Sequence, residues 1–215
     1  RREAPHLTVR YFKADLSRAE AISSLCVTEK PQLIFHAAGM THVDNFERDR
    51  RAALRDNLEV TQNLVTASNL SHSLLVFFST DYVFDGTKKG DYTETDSPHP
   101  LNVYGESKLL AEKYIQQKAE QFVIFRLSWL YGLWGRSFPR TLLERTKKET
   151  KFKIVCDQVG RPTYTKDIAE FFLGILGDEE NALERHKNKI FHLANEGVAS
   201  WAEFGSFILN SQGAE

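Results

Sequence analysis

The sequence predicts an α/β fold in which a doubly wound, mostly parallel sheet carries helices on both faces. Short apolar runs alternate with amphipathic stretches along the chain, the rhythm of strands crossing over through helices. The run Leu74-Leu75-Val76-Phe77-Phe78 is too continuously apolar for a half-exposed strand and belongs in the middle of the sheet. Residues with chemical potential follow directly after such runs, and in open α/β sheets ligands bind beyond the carboxyl ends of the strands. With 215 residues, 41% hydrophobic and 27% charged, the chain suits one α/β domain with a small appendage.

Taken in order, residues 9–12 read as the first strand, followed by Asp15-Leu16-Ser17, with Ser17 expected to cap a helix through Ala19, Ile22 and Leu25. Pro31 precedes the strand Leu33-Ile34-Phe35, which stops at His36-Ala37-Ala38-Gly39. Residues 51–70 read as a long helix, with apolar positions at Leu54, Leu58, Leu64 and Val65. The central strand at 74–78 comes next, then a helix that opens at Tyr104, then a buried strand at 122–127 that ends in Ser128-Trp129-Leu130-Tyr131-Gly132. Beyond it a helix at 138–148, a strand at 152–156, a helix at 167–176 started by Thr165, a strand at 190–193 and a helix at 201–209 are expected. Residues 1–130 thus form the sheet domain, and 131–215 a mixed segment that adds a substrate-facing part and returns a helix and a strand.

Composition narrows the function. A net charge of -1 with scattered Lys and Arg leaves no footprint for nucleic acid. Cys26 and Cys156 lie far apart without metal-ligand spacing, as free thiols of a reducing compartment do, and none of the seven histidines pairs with carboxylates at such a spacing. No apolar run approaches the roughly 20 residues of a membrane span, and the opening Arg1-Arg2-Glu3-Ala4-Pro5 has no signal-peptide core. The protein reads as cytoplasmic.

The chemistry is concentrated in three residues. Tyr104 and Lys108 stand at i and i+4 of one helix and share a face, so the lysine ammonium is expected to favour the phenolate and draw the tyrosine down from its ordinary value of about 10. Thr80, at the end of the central strand, offers a hydroxyl to a substrate carbonyl with which the tyrosine exchanges a proton. A second pair, Tyr114 and Lys118, follows ten residues on, but Tyr114 lies mid-helix among Leu109, Leu110, Ala111 and Ile115, where packing is its expected role. Ala37, Ala38 and Gly39 are small enough for a bulky ligand to approach the backbone. Asn57, inside a helix where asparagine is unfavourable, is expected to have a side-chain partner.

Three segments are the most specific: Ser79-Thr80-Asp81-Tyr82-Val83-Phe84-Asp85-Gly86, Pro100-Leu101-Asn102-Val103-Tyr104-Gly105-Glu106-Ser107-Lys108 and Asp157-Gln158-Val159-Gly160-Arg161-Pro162-Thr163. In these the chain resembles the extended short-chain dehydrogenase/reductase family and, within it, the dTDP-4-dehydrorhamnose reductase group of sugar-nucleotide reductases. The resemblance runs from about residue 9 to residue 209. It implies a Rossmann-like, NAD(P)-binding fold and reduction of a 4-keto sugar nucleotide. It assigns Thr80, Tyr104 and Lys108 as the catalytic triad and Ala37, Ala38 and Gly39 as part of the nicotinamide-cofactor wall. By the same resemblance Asp15 contacts the adenine, Lys108 also holds the nicotinamide ribose, Tyr82 and Trp129 contact the sugar, and Asn57 supports the active site. Some relatives use Mg²⁺, for which no ligand residue carries over.

The chain also departs from that pattern. The family opens with a strand, a Gly-x-x-Gly-x-x-Gly turn that holds the pyrophosphate, and a helix, none of which is found here. Residues 9–12 match the family's third strand, so the expectation is a copy truncated at the front and short of the final substrate-domain elements. The choice between NAD and NADP, made at the end of the family's second strand, is unreadable. The first strand is then expected to float, to pair with residues 33–35, or to await a second copy or partner chain that completes the sheet. The same fold and a Ser-x-Asp-Tyr-Val-Phe-Asp-Gly-Thr pattern occur in the regulatory β subunit of methionine adenosyltransferase, which keeps a non-catalytic binding role open as the alternative.

Overall fold

The protein was analysed as a computed structural model that describes residues 9–39, 50–151, 153–177 and 182–211. Its elements are α1 (Ala19–Glu29), β1 (Leu33–His36), α2 (Arg50–Ser71), β2 (Leu74–Thr80), a 3-10 turn (Asp81–Val83), α3 (Val103–Lys118), β3 (Phe122–Leu127), β4 (Leu130–Tyr131) and α4 (Phe138–Thr146). They continue with β5 (Val159–Gly160), β6 (Thr163–Tyr164), α5 (Thr165–Leu176), α6 (Ala182–Arg185), β7 (Lys189–Leu193), β8 (Ala199–Ser200) and α7 (Trp201–Ser211). Among the described residues the main sheet has the order β1-β2-β3-β7, every neighbouring pair parallel.

Alternation along β2 and β3 divides the core into two layers, because successive side chains of a strand point to opposite faces. Leu75, Phe77, Phe122 and Ile124 meet Val65 of α2 and Ala111 and Ile115 of α3. Leu74, Val76, Val123, Phe125 and Leu127 meet Phe172 of α5 and Leu183 of α6. This two-sided burial explains why β2 and β3 are mostly apolar. Helix α1 packs on α2 through Ile22, Cys26, Leu64 and Ala67. Tyr114 packs against the first layer, the structural role expected of it.

Three expectations for local structure need correction. Residues 9–12 form no strand; Val9, Tyr11 and Phe12 are exposed, and the segment is held by a two-pronged Arg10–Glu29 pair at 2.6 and 3.0 Å. Among the described residues it does not pair with residues 33–35, and no strand runs beside it. Ser17 does not cap α1: Arg18 stands at that position, while Ser17 gives both its backbone N–H and its hydroxyl to Asp15 Oδ1. Residues 153–156 are likewise irregular, with Phe152 outside the described residues. Ile154 instead packs against Gly205, and the antiparallel pairing nearby is between β5 and β8.

After β3 the chain builds a small lobe. β4 pairs with β6 and β5 with β8. The Trp129 indole stacks on Trp201, centroids 3.5 Å apart and 6° from parallel, and Trp201 in turn meets Phe138 of α4. Gly160 lies so close to the Trp129 ring that an added Cβ would stand 2.3 Å from it. Among the described residues no helix is long and apolar enough to cross a membrane.

Candidate active site

Thr80 ends β2 and starts the 3-10 turn, its hydroxyl accepting the Tyr82 N–H at 3.2 Å. On the facing helix, Asn102 caps α3 by accepting the Gly105 N–H at 2.7 Å, which sets Val103 and Tyr104 in the first turn. Gly105 lets that turn approach the 3-10 turn, since a Cβ there would fall 2.1 Å from the Tyr82 carbonyl oxygen. The approach brings the three predicted residues Thr80, Tyr82 and Tyr104 together. The Tyr82 and Tyr104 rings meet edge to face, their centroids 6.0 Å apart, and Thr80 stands near enough to act on the Tyr104 phenol.

Lys108 stands one turn further along α3, almost wholly buried, with its ammonium 4.2 Å from the centre of the Phe77 ring. The electrostatics differ from the sequence reading. Burial pushes the Tyr104 phenol up to about 12; Thr80 opposes this, while Asp81 and Tyr82 add to it. The phenol is therefore held protonated, because desolvation disfavours its anion more than any neighbouring cation favours it. Lys108 is pushed down to about 8, again by burial, with the Glu112 carboxylate opposing.

This lysine makes a testable contribution to stability. Unfolded, it has its ordinary value of 10.5; folded, about 8. Below pH 8 both states hold the proton and the fold bears the whole desolvation cost, whereas from pH 8 to 10.5 the unfolded chain binds more protons and stability climbs with pH. Lys108→Met is expected to raise stability at pH 7 by up to about 3 kcal/mol, the advantage shrinking toward pH 10. Urea titrations at both pH values check this, and a pH-independent difference would mean that the ammonium bears no such cost.

Asn57 has the partner its helical position called for. Its side-chain N–H donates to Ser107 Oγ at 3.1 Å, and Ser107 donates to the Tyr104 carbonyl at 2.7 Å. Behind it the Thr61 hydroxyl donates to the Asn57 carbonyl at 2.8 Å and therefore accepts from His36 Nε2 at 3.0 Å, which makes His36 the neutral Nε2–H tautomer. Burial, with Lys108 adding, pushes His36 down to about 3. A chain of hydrogen bonds thus runs from β1 through α2 to the backbone of Tyr104.

The remaining predicted residues lie around this centre. Ala37, Ala38 and Gly39 are exposed directly after β1, and a methyl on Gly39 would stand 3.2 Å from Asn57 Oδ1. Asp15 lines an open cleft of about 620 Å³ with Leu16, Ser17, Arg55, Glu59 and Val60; its hydrogen bonds to Ser17 hold its carboxyl below the usual value. Trp129 is half-buried, and the stack on Trp201 occupies one face of its ring. The link between Trp129 and the centre runs through its neighbour Ser128, whose hydroxyl donates to Asp81 Oδ2 at 2.7 Å. Asp81, Ser128, Ser107 and His36 were given no role by the sequence reading. An aspartate directly after a buried strand was the one available signal, since such a carboxylate must be buried with donors around it.

These residues fit a nicotinamide dinucleotide. Small exposed residues line one strand end, and one turn along α3 from Tyr104 stands a buried ammonium for which the described residues show no hydrogen bond or ion pair. Among the described residues no group of three or more His, Cys, Asp or Glu stands together as a metal site.

The RmlD substrate binding domain family matches the chain over residues 2–215. A dTDP-4-dehydrorhamnose reductase of Burkholderia thailandensis is 37% identical over 201 residues, 93% of this chain and 67% of that protein. One from Aggregatibacter actinomycetemcomitans is 34% identical over 209 residues, 97% of this chain and 71% of that protein. The crystal structure of a Bacillus anthracis dTDP-4-dehydrorhamnose reductase in complex with NADP has a TM-score of 0.84 and 31% identity, covering 93% of this chain and 69% of its own. The chain spans about two thirds of the length of these relatives.

Proposed function

Because the chain belongs to the RmlD substrate binding domain family, we propose that it serves NADPH-dependent reduction of a 4-keto sugar nucleotide of the dTDP-4-dehydrorhamnose class, in the cytoplasm. The observation that carries this reading is the meeting of Thr80, Tyr82 and Tyr104 at the carboxyl end of β2, with Lys108 one turn away. NADPH, when bound, supplies the hydride. Ala37, Ala38, Gly39 and Lys108 would hold its nicotinamide half, and Asp15 its adenine. Tyr104 keeps its proton in the resting site and gives it to the carbonyl oxygen of the sugar. Thr80, at the end of the facing strand, holds the substrate carbonyl, and Tyr82 and Trp129 border the sugar. Asn57 acts through Ser107 to fix the backbone of Tyr104. Domain boundaries follow the same reading, residues 1–130 serving the dinucleotide and 131–215 the substrate. The matches above offer nothing for the regulatory-subunit alternative.

The test is to incubate the full-length protein with NADPH or NADH and a dTDP-4-keto-6-deoxyhexose and follow nicotinamide absorbance. Oxidation with NADPH is expected. A folded protein that oxidises neither cofactor with any such sugar sinks the reading.

A further inference from the structure

Trp129 has a left-handed backbone, with φ at 42°. A bulky side chain reaches that region only under strain, and it stays there only where its surroundings over-determine it. Here they do. Trp201 lies parallel on one face of the indole, centroids 3.5 Å apart. Gly160 presses on the other face: a Cβ on it would stand 2.3 Å from Cε2, 2.6 Å from Nε1 and 2.8 Å from Cδ2 of the ring. An approach along the ring edge would leave Cδ2 well behind Cε2, and the Trp201 stack leaves no room on its own side. Both jaws of this clamp belong to one antiparallel pair, in which Gly160 of β5 stands opposite Ala199 of β8, two residues before Trp201.

The corner held by the clamp reaches two other places. The Trp129 carbonyl accepts the Thr163 N–H at 3.1 Å, beside the pairing of β4 with β6. The Ser128 hydroxyl donates to Asp81 Oδ2 at 2.7 Å and accepts the N–H of Arg161, the residue after Gly160, at 3.3 Å. The other carboxylate oxygen of Asp81 accepts from the Thr80 hydroxyl at 3.1 Å, and the Thr80 oxygen accepts the Tyr82 N–H at 3.2 Å. We infer that Gly160 and Trp201 are positioning residues for the reduction: by clamping Trp129 from both faces they hold the corner after β3 in its left-handed turn, and that corner fixes Ser128 against Asp81 and, through Asp81, the rotamer of Thr80. The inference rests on the reductase reading above and ties the small lobe to the reacting end of β2. A side chain at 160 cannot be admitted by a retreat of the indole, because Trp201 backs it. Either the ring tilts or β5 lifts, and a lifted β5 withdraws the Arg161 N–H from Ser128. With both faces covered, Trp129 offers a sugar its edge alone.

The experiment uses the full-length protein. Three-bond NMR couplings of the Thr80 methyl, assigned by their loss in Thr80→Ser, report which side-chain rotamer that residue holds. Wild type is expected to show one rotamer and Gly160→Ala and Trp201→Ala an average over several, while Trp201→Phe, which keeps a ring against the indole, should show one again. With NADPH and the 4-keto sugar, kcat in Gly160→Ala and Trp201→Ala should fall about tenfold to a hundredfold, the scale of a misplacement of about 1 Å at the reacting centre. KM and NADPH affinity should hold, which certifies the fold, and Trp201→Phe should restore kcat. If Gly160→Ala does not fold, the two Trp201 variants carry the test. A single Thr80 rotamer in the disrupted variants, or full kcat in them, overturns the proposal, and so does a loss confined to KM, which would mean that the clamp serves sugar binding alone. The coupling measurement needs no substrate, so a protein that reduces no sugar nucleotide defeats the reductase reading while the hold of the clamp on Thr80 is still decided.

Discussion

Tyr104→Phe in the full-length protein is expected to cut turnover by about 10²–10⁴ while leaving dinucleotide affinity nearly unchanged, because it removes the acid and keeps the ring. The ring's packing survives: Phe at 104 still meets the Tyr82 ring edge and still lies beside Val103 and Leu54. The phenolic proton disappears. Lys108→Ala should damage both turnover and affinity, since it removes the ammonium proposed to hold the nicotinamide half of the cofactor. Tyr114→Phe is the internal control, as that tyrosine packs against the core between α3 and the sheet. Stopped-flow turnover and equilibrium cofactor binding on the three variants separate these outcomes. Near-normal turnover in Tyr104→Phe, or an equal loss in Tyr114→Phe, would remove Tyr104 from the acid role.

The largest expected loss of stability comes from a pair that touches neither substrate nor cofactor. Glu112 of α3 is wholly buried and grips Arg126 of β3 with two hydrogen bonds, 3.0 Å from Nε and 2.7 Å from Nη2, while Ser79 of β2 donates to the same carboxylate. Arg126→Leu leaves that carboxylate buried with only a hydroxyl donor and is expected to cost about 3–5 kcal/mol. The double variant Glu112→Leu with Arg126→Met should recover most of it, since an apolar pair of similar volume strands only the Ser79 hydroxyl. Urea titrations of the single and double variants decide the matter, and a single-variant cost under about 1 kcal/mol would show that water reaches the carboxylate.

Legibility in the sequence tracked how local each determinant is. The β2 and β3 runs were readable because both faces of those strands are buried, which leaves an apolar string at 74–78 and another at 122–127 that only Arg126 interrupts. Helices α2 and α5 were readable from their apolar spacing, to within a residue or two at most ends. Residues 9–12 misled for the converse reason: an alternating, β-prone tetrapeptide is a strand only beside a partner. Thr80, Tyr104 and Lys108 were legible through their motifs, and the first two do meet. The sign of the tyrosine's shift was not, because it is decided by burial and by Asp81, a matter of how α3 docks on the turn after β2. The Asn57 chain and the Ser128–Asp81 contact join residues far apart in sequence, and no spacing rule encodes them.

The order of the sheet also bears on how the chain reaches its structure. Among the described residues, every neighbouring pair in the main sheet is parallel and separated in sequence by at least one helix, so none of its strands finds its partner through a hairpin. The entropy of closing long loops is spent before any ladder hydrogen bond rewards it, and folding should be slow for a domain of this size. During synthesis the free edge of β3 stays open until β7, with residues 189–193, has left the ribosome. Until α5 and α6 emerge, shortly before β7, Val123 and Phe125 also lack their cover, and apolar surface exposed in this way is prone to aggregate.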